Sequence, residues 1–360
     1  MFLDPESNMV DYISELPDDV LSYILKSISL KDLLKISILS KRWCKLWTLR
    51  KDIYFDIFNV FEETVEKLLQ TGYLIDVPDS PMCDEETEKE LLQAGYDIPD
   101  RPIVRRLTNL NTIRDEFVKR VDQFVKNFHG TKIDSFLVKF YLNCDQSAII
   151  DQWITFALAR EVERIDLLFL GLPYAQNNLR NFYKFPLDLL LETKASTLKH
   201  LSLECCLIRH PTNNDFSPLK KLRFLSLNHV KLDEIFIETL LSNCGLLEEL
   251  HLFSCNFTAS MPKIVSSSLL ILKIINGYIS PRINSLVEVD LTLLDCLKLT
   301  SLEYDGYGLH TMNINTPMLK CIDFFISYEE DLNIFDLFAT FLQLETMRIN
   351  ITSTVSHKVL

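Results

Sequence analysis

Hydrophobic positions in this chain follow two rhythms. Near the start, Val20, Leu21, Ile24, Leu25 and Ile28 recur at i, i+1, i+4, i+5 and i+8, an apolar stripe two residues wide along one helix. Ser14 is placed to cap that helix, Pro17 suits its first turn, and Asp18 and Asp19 favour the positive end of its dipole. Ser29 with Asp32 resembles a capping box for a second helix, whose Leu33, Leu34, Ile36, Ile38 and Leu39 spread over more than one face. A third helix starts at Ser40 and sets Trp43, Leu46 and Trp47 on one side, with Lys41, Arg42 and Lys45 on the other. Units below about 40 residues rarely bury this much apolar surface alone, so a partner or a neighbouring domain has to cover part of it.

From Ile133 onward the period shortens. FLVKFYL and RIDLLFL read as buried strands, with the amphipathic stretch IIDQWITFALA between them. One short phrase then returns seven times: LKHLSLECC from Leu198, LRFLSLNHV from Leu222, LEELHLFSC from Leu247, LLILKIING from Leu269, LTSLEYDGY from Leu299, LKCIDFFIS from Leu319 and LETMRINIT from Leu344. VERIDLLFL from Val162 reads as an eighth copy. The seven lie between 20 and 30 residues apart, and L-x-x-L-x-L-x-x-[N/C] is the signature of leucine-rich repeats. Strand side chains alternate, so Leu225 and Leu227 point inward while Leu222 turns in from the preceding corner. No unit can hide its leucines alone; stacking pairs the strands into a parallel sheet and places the intervening segments outside. DEIFIETLLSNCG is one such segment, with Ile235, Phe236 and Leu240 on a helical face and Gly245 as its stop.

Residues between and after the strand leucines face the open inner surface. One column reads Ser202, Ser226, His251, Lys273, Glu303, Asp323 and Arg348; its neighbour reads Glu204, Asn228, Phe253, Ile275, Asp305, Phe325 and Asn350. Eight strands roughly 4.8 Å apart span about 38 Å, room for a protein segment or a small fold rather than a single metabolite. Candidate target-binding residues are Ser226, Asn228, His251, Phe253, Lys273, Asp305, Asp323, Phe325 and Arg348, with Phe253 and Phe325 as anchors. The alternative is that these positions solvate the sheet or pack on a C-terminal tail.

Between the two regions, EKLLQTGYLIDVPDSP from Glu66 recurs as KELLQAGYDIPDRP from Lys89. Residues 76–100 hold nine acids against one lysine, with several prolines, the composition of a solvated insertion. A docking strip for a basic partner and a regulated linker are alternative readings.

The text L-P-x-D-V-L-x-x-I-L with its S-K-R-W tail resembles an F-box, in the plant form that precedes leucine-rich repeats. Leu16, Pro17, Asp19, Val20, Leu21, Ile24, Leu25, Ser40, Lys41, Arg42, Trp43 and Trp47 carry the match. The resemblance implies an α/β chain: a three-helix F-box followed by a right-handed βα leucine-rich-repeat solenoid arc. The domains expected are the F-box at 1–55, a linker with the acidic duplication at 56–107, and the repeats at 108–360. In that family the module docks on a Skp-type adaptor and through it a cullin scaffold. The adaptor face implied here comprises Leu16, Pro17, Val20, Leu21, Ile24, Leu25, Leu33, Leu34, Trp43 and Trp47. The implied role is the non-catalytic substrate-recognition subunit of an SCF-type ubiquitin ligase, with an unknown protein as target. A scaffold that binds without promoting degradation is the alternative, and a repeat binder whose first helices only cap the array is a third.

Charge and chemistry narrow the picture. With 37 basic and 50 acidic residues the formal charge is -13, so no general field draws the chain to nucleic acid or to an anionic membrane. MFLDPESNMVDY carries acids where a secretory leader needs bases, and no stretch approaches the roughly 18 apolar residues of a membrane span. An intracellular protein of the nucleus or cytoplasm is expected. Nine cysteines with no C-x-x-C pair suggest neither a disulfide framework nor a zinc site. Of the adjacent Cys205 and Cys206, one thiol is expected inward at the [N/C] position and the other outward. No G-x-G-x-x-G, P-loop, H-E-x-x-H or G-x-S-x-G occurs, so no catalytic residue, metal or cofactor is assigned.

Overall fold

A computed structural model describes residues 15–26, 28, 50–61, 102–169, 181–192, 197–209, 216, 219–232, 234–257, 262–279, 293–306, 313–327 and 341–352. The chain forms two compact units, Met1–Phe136 and Leu137–Leu360.

In the first unit, helix α1 (Asp18–Lys26) begins where the sequence expects, with Asp18 and Asp19 in its first turn and the Leu21 amide donating to the Pro17 carbonyl at 3.0 Å. The capping residue expected, Ser14, and the second and third helices of the F-box lie outside the described residues. Strand β1 (Asp52–Asp56) runs into the short helix α2 (Ile57–Phe61). The buried Arg50 joins this strand to the end of α1, donating from Nη1 to the Ile28 carbonyl at 3.0 Å and from Nε to the Asp52 carbonyl at 2.8 Å. The long helix α3 (Pro102–Asn127) opens on a proline, which the first helical position tolerates. Its Ile113, Phe117, Val121 and Phe124 fall on one face and are buried. Phe55 meets Phe124 edge-on at 5.3 Å and Phe136 at 5.9 Å, so an aromatic cluster fills this unit. The acidic duplication lies outside the described residues.

Strand β2 (Ser135–Phe140) carries the chain into the second unit. Asn143 caps a single 3₁₀ turn by accepting from the Asp145 amide at 2.9 Å, and Gln146 reaches back to the Asn143 amide at 3.2 Å. Helix α4 (Ser147–Leu158) comes next in the chain, burying Ile150, Trp153, Ile154, Ala157 and Leu158. It leads into β3 (Arg164–Phe169), β4 (Tyr183–Pro186), helix α5 (Leu187–Glu192), β5 (His200–Glu204), β6 (Cys206–Arg209), β7 (Phe224–Asn228) and β8 (Lys231–Leu232). Helix α6 (Glu234–Asn243) precedes β9 (Glu249–Phe253), β10 (Asn256–Phe257), β11 (Ile264–Val265), β12 (Ile271–Ile279), β13 (Leu293–Asp295), β14 (Ser301–Gly306), β15 (Asn313–Asn315), β16 (Cys321–Ser327) and β17 (Thr346–Thr352).

The eight repeat phrases are the strands of one parallel series, β3-β5-β7-β9-β12-β14-β16-β17. Their leucine positions form the core: Leu198, Leu201 and Leu203, then Leu222, Leu225 and Leu227, then Leu247, Leu250 and Leu252 are all buried. Later repeats keep the positions and change the shape, with Tyr304 and Phe324 in the third. Among the described residues β17 pairs with β16 alone and Met347 is 45% exposed, whereas the corresponding leucines of strands paired on both sides are buried.

Strands β5, β7 and β9 are each followed by a left-handed residue, Cys205, His229 and Ser254, with φ of 53°, 52° and 47°. This conformation costs an L-residue about 1–2 kcal/mol. It is held because each amide donates to the next repeat: Cys205 to Asn228, His229 to Phe253 and Ser254 to Ile275, at 2.9, 2.9 and 2.7 Å. The turn sends the chain into a second parallel row, β4-β6-β8-β10-β12, and swings Cys206, Val230 and Cys255 inward. Cys206 thus fills the [N/C] position as expected, but Cys205 is buried as well rather than turned outward. A third parallel row, β11-β13-β15, lies in the spacers of later repeats.

Helix α6 corrects a second expectation. Ile235 is 64% exposed, and the buried face is Phe236, Ile237, Leu240 and Leu241. Replacing Phe236 with Ala should therefore cost about 3–5 kcal/mol, while Ile235→Ser should stay within about 0.5 kcal/mol of the parent. Urea unfolding monitored by circular dichroism checks both, and equal losses would mean the helix is rotated.

Candidate functional site

Two surfaces carry the residues singled out by sequence. The first is α1. Its apolar stripe divides: Leu21 and Leu25 are buried at 1% exposure each, whereas Val20 and Ile24 are 40% and 38% exposed beside Tyr23 at 76%. Pro17 is exposed and Leu16 half-buried at the helix start. Two residues of the stripe hold the helix and two present an apolar edge. Leu33, Leu34, Trp43 and Trp47 lie outside the described residues.

The second surface is the open face of the main sheet. Pairing registers align Ser202, Ser226, His251, Lys273, Glu303, Asp323 and Arg348 in one column, strand by strand, as the leucine spacing requires. Glu204, Asn228, Phe253, Ile275, Asp305, Phe325 and Asn350 align in the next. Asp166 extends the first column by one strand. Ser226 is buried at 9%; Asn228, His251, Phe253, Lys273, Asp305 and Asp323 are half-buried, and Arg348 is exposed. The Phe325 side chain is outside the described residues.

A further column, at the first residue of each strand, escaped the sequence reading. It holds Arg164, His200, Phe224, Glu249, Ile271 and Ser301. His200 stacks on Phe224 with ring centroids 4.0 Å apart and planes 2° from parallel. His251 meets the same Phe224 edge-on at 4.9 Å and touches Phe253 at 5.6 Å. The two histidines, two repeats apart in sequence, thus converge on one phenyl ring. The signal was the third position of each L-x-x-L, which alternation assigns to the same face as the inner columns.

The face is electrically uneven. Asp166, buried at 2%, accepts from Arg164 Nε at 2.6 Å through Oδ2 and lies 3.0 Å from His200 Nε2 through Oδ1, so both its oxygens are engaged. Lys273 pairs with Glu303 at 2.8 Å. Arg348 stands 3.7 Å from Asp323 Oδ2, while the buried Asp323 Oδ1 has no hydrogen-bond partner among the described residues. Burial, reinforced by nearby Lys273, pulls the His251 imidazole down to about 4, so it is neutral at physiological pH. Burial pushes the Glu204 and Asp305 carboxyls above their ordinary values.

At the strand entries, ion pairs join neighbouring repeats: Lys199 with Glu163, Arg223 with Glu248 and Lys320 with Glu345. Exposed pairs of this kind are screened by solvent and add little to stability, so their effect is on register. Among the described residues no group of three or more His, Cys, Asp or Glu side chains is arranged to hold a metal ion, and no helix is long and apolar enough to cross a membrane.

A helix with an apolar edge near the start and a parallel series of leucine-lined strands define a leucine-rich-repeat protein with an amino-terminal helical segment. A family model described as the F-box domain matches residues 13–53, and one described as the At1g61320/AtMIF1 LRR domain matches residues 124–358. The chain belongs to the F-box/leucine-rich-repeat family. It is similar to three Arabidopsis thaliana proteins. F-box/FBD/LRR-repeat protein At1g78750 is 27% identical over 68% of this chain and 42% of its own length. F-box protein At5g03100 is 25% identical over 76% and 66%, and F-box/LRR-repeat protein 13 is 26% identical over 68% and 41%. The chain spans about half the length of the curated relatives it matches.

The His251 shift has a testable sign. Unfolded histidine titrates near 6.5 and the folded ring near 4, so the unfolded state binds the proton more readily. The contribution is full above about 6.5 and is lost as pH falls toward 4. Urea midpoints of the parent should drop more steeply across that window than those of His251→Gln; parallel curves would show that the ring is solvated.

Proposed function

We propose that this protein is the substrate-recognition subunit of an SCF-type ubiquitin ligase, holding a Skp-type adaptor, and through it a cullin scaffold, at the F-box. The observation that carries the reading is the apolar edge Val20, Tyr23 and Ile24 on a helix matched by the F-box family. Such a surface, on a module too small to conceal it, suits a helical partner. The open sheet face, lined by Asn228, His251, Phe253, Lys273, Asp305 and Asp323, is the surface proposed for the protein target. In this reading residues 1–55 are the adaptor module, 56–107 the linker and 108–360 the recognition domain, acting inside the cell.

The chain's own contribution is placement rather than bond making. Holding a target beside a charged conjugating enzyme raises the effective concentration of its lysines at the activated ubiquitin. A scaffold that binds without degradation shares every one of these features and differs only in the fate of the bound protein.

The two edges of the α1 stripe call for different substitutions. Ile24→Asp places a charge on the exposed edge and should abolish capture of a purified Skp-type adaptor with the circular dichroism spectrum unchanged. Leu21→Asp buries a charge and should cost several kcal/mol of folding as well. Full capture by Ile24→Asp would remove α1 from the adaptor face. With capture intact, transfer of ubiquitin to a bound protein in the reconstituted ligase separates receptor from scaffold.

A further inference from the structure

The open face has an apolar centre with carboxylates around it. Phe224, Phe253, Ile271 and Ile275, all half-buried, occupy neighbouring strands β7, β9 and β12. Across β5 to β16 the three columns hold five acids, Glu204, Glu249, Glu303, Asp305 and Asp323, against one lysine, Lys273, no arginine, and the two histidines His200 and His251. That lysine is already paired with Glu303. The Glu204 and Asp305 carboxyls make no hydrogen bond or ion pair among the described residues, and both are partly desolvated; Lys139 on β2 acts on Glu204 only through space. The two acids sit in one column on either side of the Phe253 and Ile275 pair.

We infer that this face receives an extended protein segment with an apolar residue between two basic ones. The inference rests on the reading of the open face as the target surface and names the chemistry of that target. Charge complementarity selects the occupant. An acidic or neutral segment would leave Glu204 and Asp305 further desolvated and still unpaired, whereas arginine or lysine side chains supply the missing cations. The spacing sets its length. Glu204 and Asp305 stand four strand positions apart, about 19 Å at the usual strand separation, which extended chain covers in about six residues. An apolar side chain midway then falls over Phe253 and Ile275.

The test uses the full chain and a fluorescein-labelled peptide carrying two arginines about six positions apart with a leucine midway. Anisotropy should show binding that weakens about tenfold in the Glu204→Gln, Asp305→Asn double variant and again when the leucine is replaced by serine. Binding that ignores the double variant, that is matched by the peptide with glutamates in place of arginines, or that free spermine displaces as well as the unlabelled peptide does, overturns the inference. A photocrosslinking residue in place of Asn228, used in native tissue extract, separates this failure from that of the target surface itself. Mapped crosslinks to acidic or neutral segments sink the basic-segment inference and keep the surface; absence of any crosslink together with absence of peptide binding sinks both.

Discussion

The structure depends on one constraint: no repeat of this chain can bury its own leucines. Leu250 and Leu252 are hidden only because β7 lies on one side of β9 and β12 on the other. That requirement holds the strands in register, since a slip of one residue would exchange every leucine for an inner-face residue. The inner columns are a consequence of it. Ser226, His251 and Lys273 share a row because Leu225, Leu250 and Leu272 do. The open face therefore has chemistry that can vary residue by residue while its geometry is maintained from behind.

The corners show how tightly this is enforced. Cys205, His229 and Ser254 take a backbone conformation that favours glycine, and none of them is glycine. The amide bond each makes to the next repeat offsets a strain of about 1–2 kcal/mol, since leaving such an amide unpaired would cost about 1–3 kcal/mol. The turn also delivers Cys206 and Cys255 to the interior, where burial raises the Cys255 thiol to about 12 and the Cys206 thiol well above its ordinary value. At neutral pH such thiols stay protonated, so these cysteines act as small packing groups rather than nucleophiles.

Much of this was legible in the sequence, and the misses share a cause. Recurrence of L-x-x-L-x-L located all eight strands and put both inner columns in the registers observed, because a period of two leaves no ambiguity about facing. Helical periods leave more. Ile235, Phe236 and Ile237 are consecutive, at about 100° steps, and the pattern does not say which edge of the apolar arc meets the core. The α1 stripe was ambiguous in the same way: two residues wide, it divides between a buried edge, Leu21 and Leu25, and an exposed one, Val20 and Ile24. Helix α3 crosses the boundary expected at 107/108: its opening, PIVRRL, lies in the expected linker, and its mix of basic and apolar residues gives no clear helical face there. Of the adjacent thiols the repeat signature gives only Cys206 the inward [N/C] position, but Cys205 keeps the facing of Leu201 and Leu203, and the left-handed turn at Cys205 lets Cys206 turn inward after it.

Charges on the open face differ in what they can do, and geometry sorts them. Asp166 is the most buried carboxylate there, yet Arg164 and His200 already satisfy it. Removing it would leave two cationic or polar groups without their acceptor, so its role is to hold the edge of the face in shape. Glu303 is likewise committed to Lys273. Glu204 and Asp305 are desolvated without an ion-pair partner among the described residues, a state that lowers stability and that packing alone does not require, since a threonine or serine would fit an inner strand position equally well. A carboxyl that is partly dehydrated and uncommitted is one whose favourable interactions are still to be made. If this face is the target surface proposed above, recognition falls to the charges the fold leaves unpaired, and structure to those it has already neutralised.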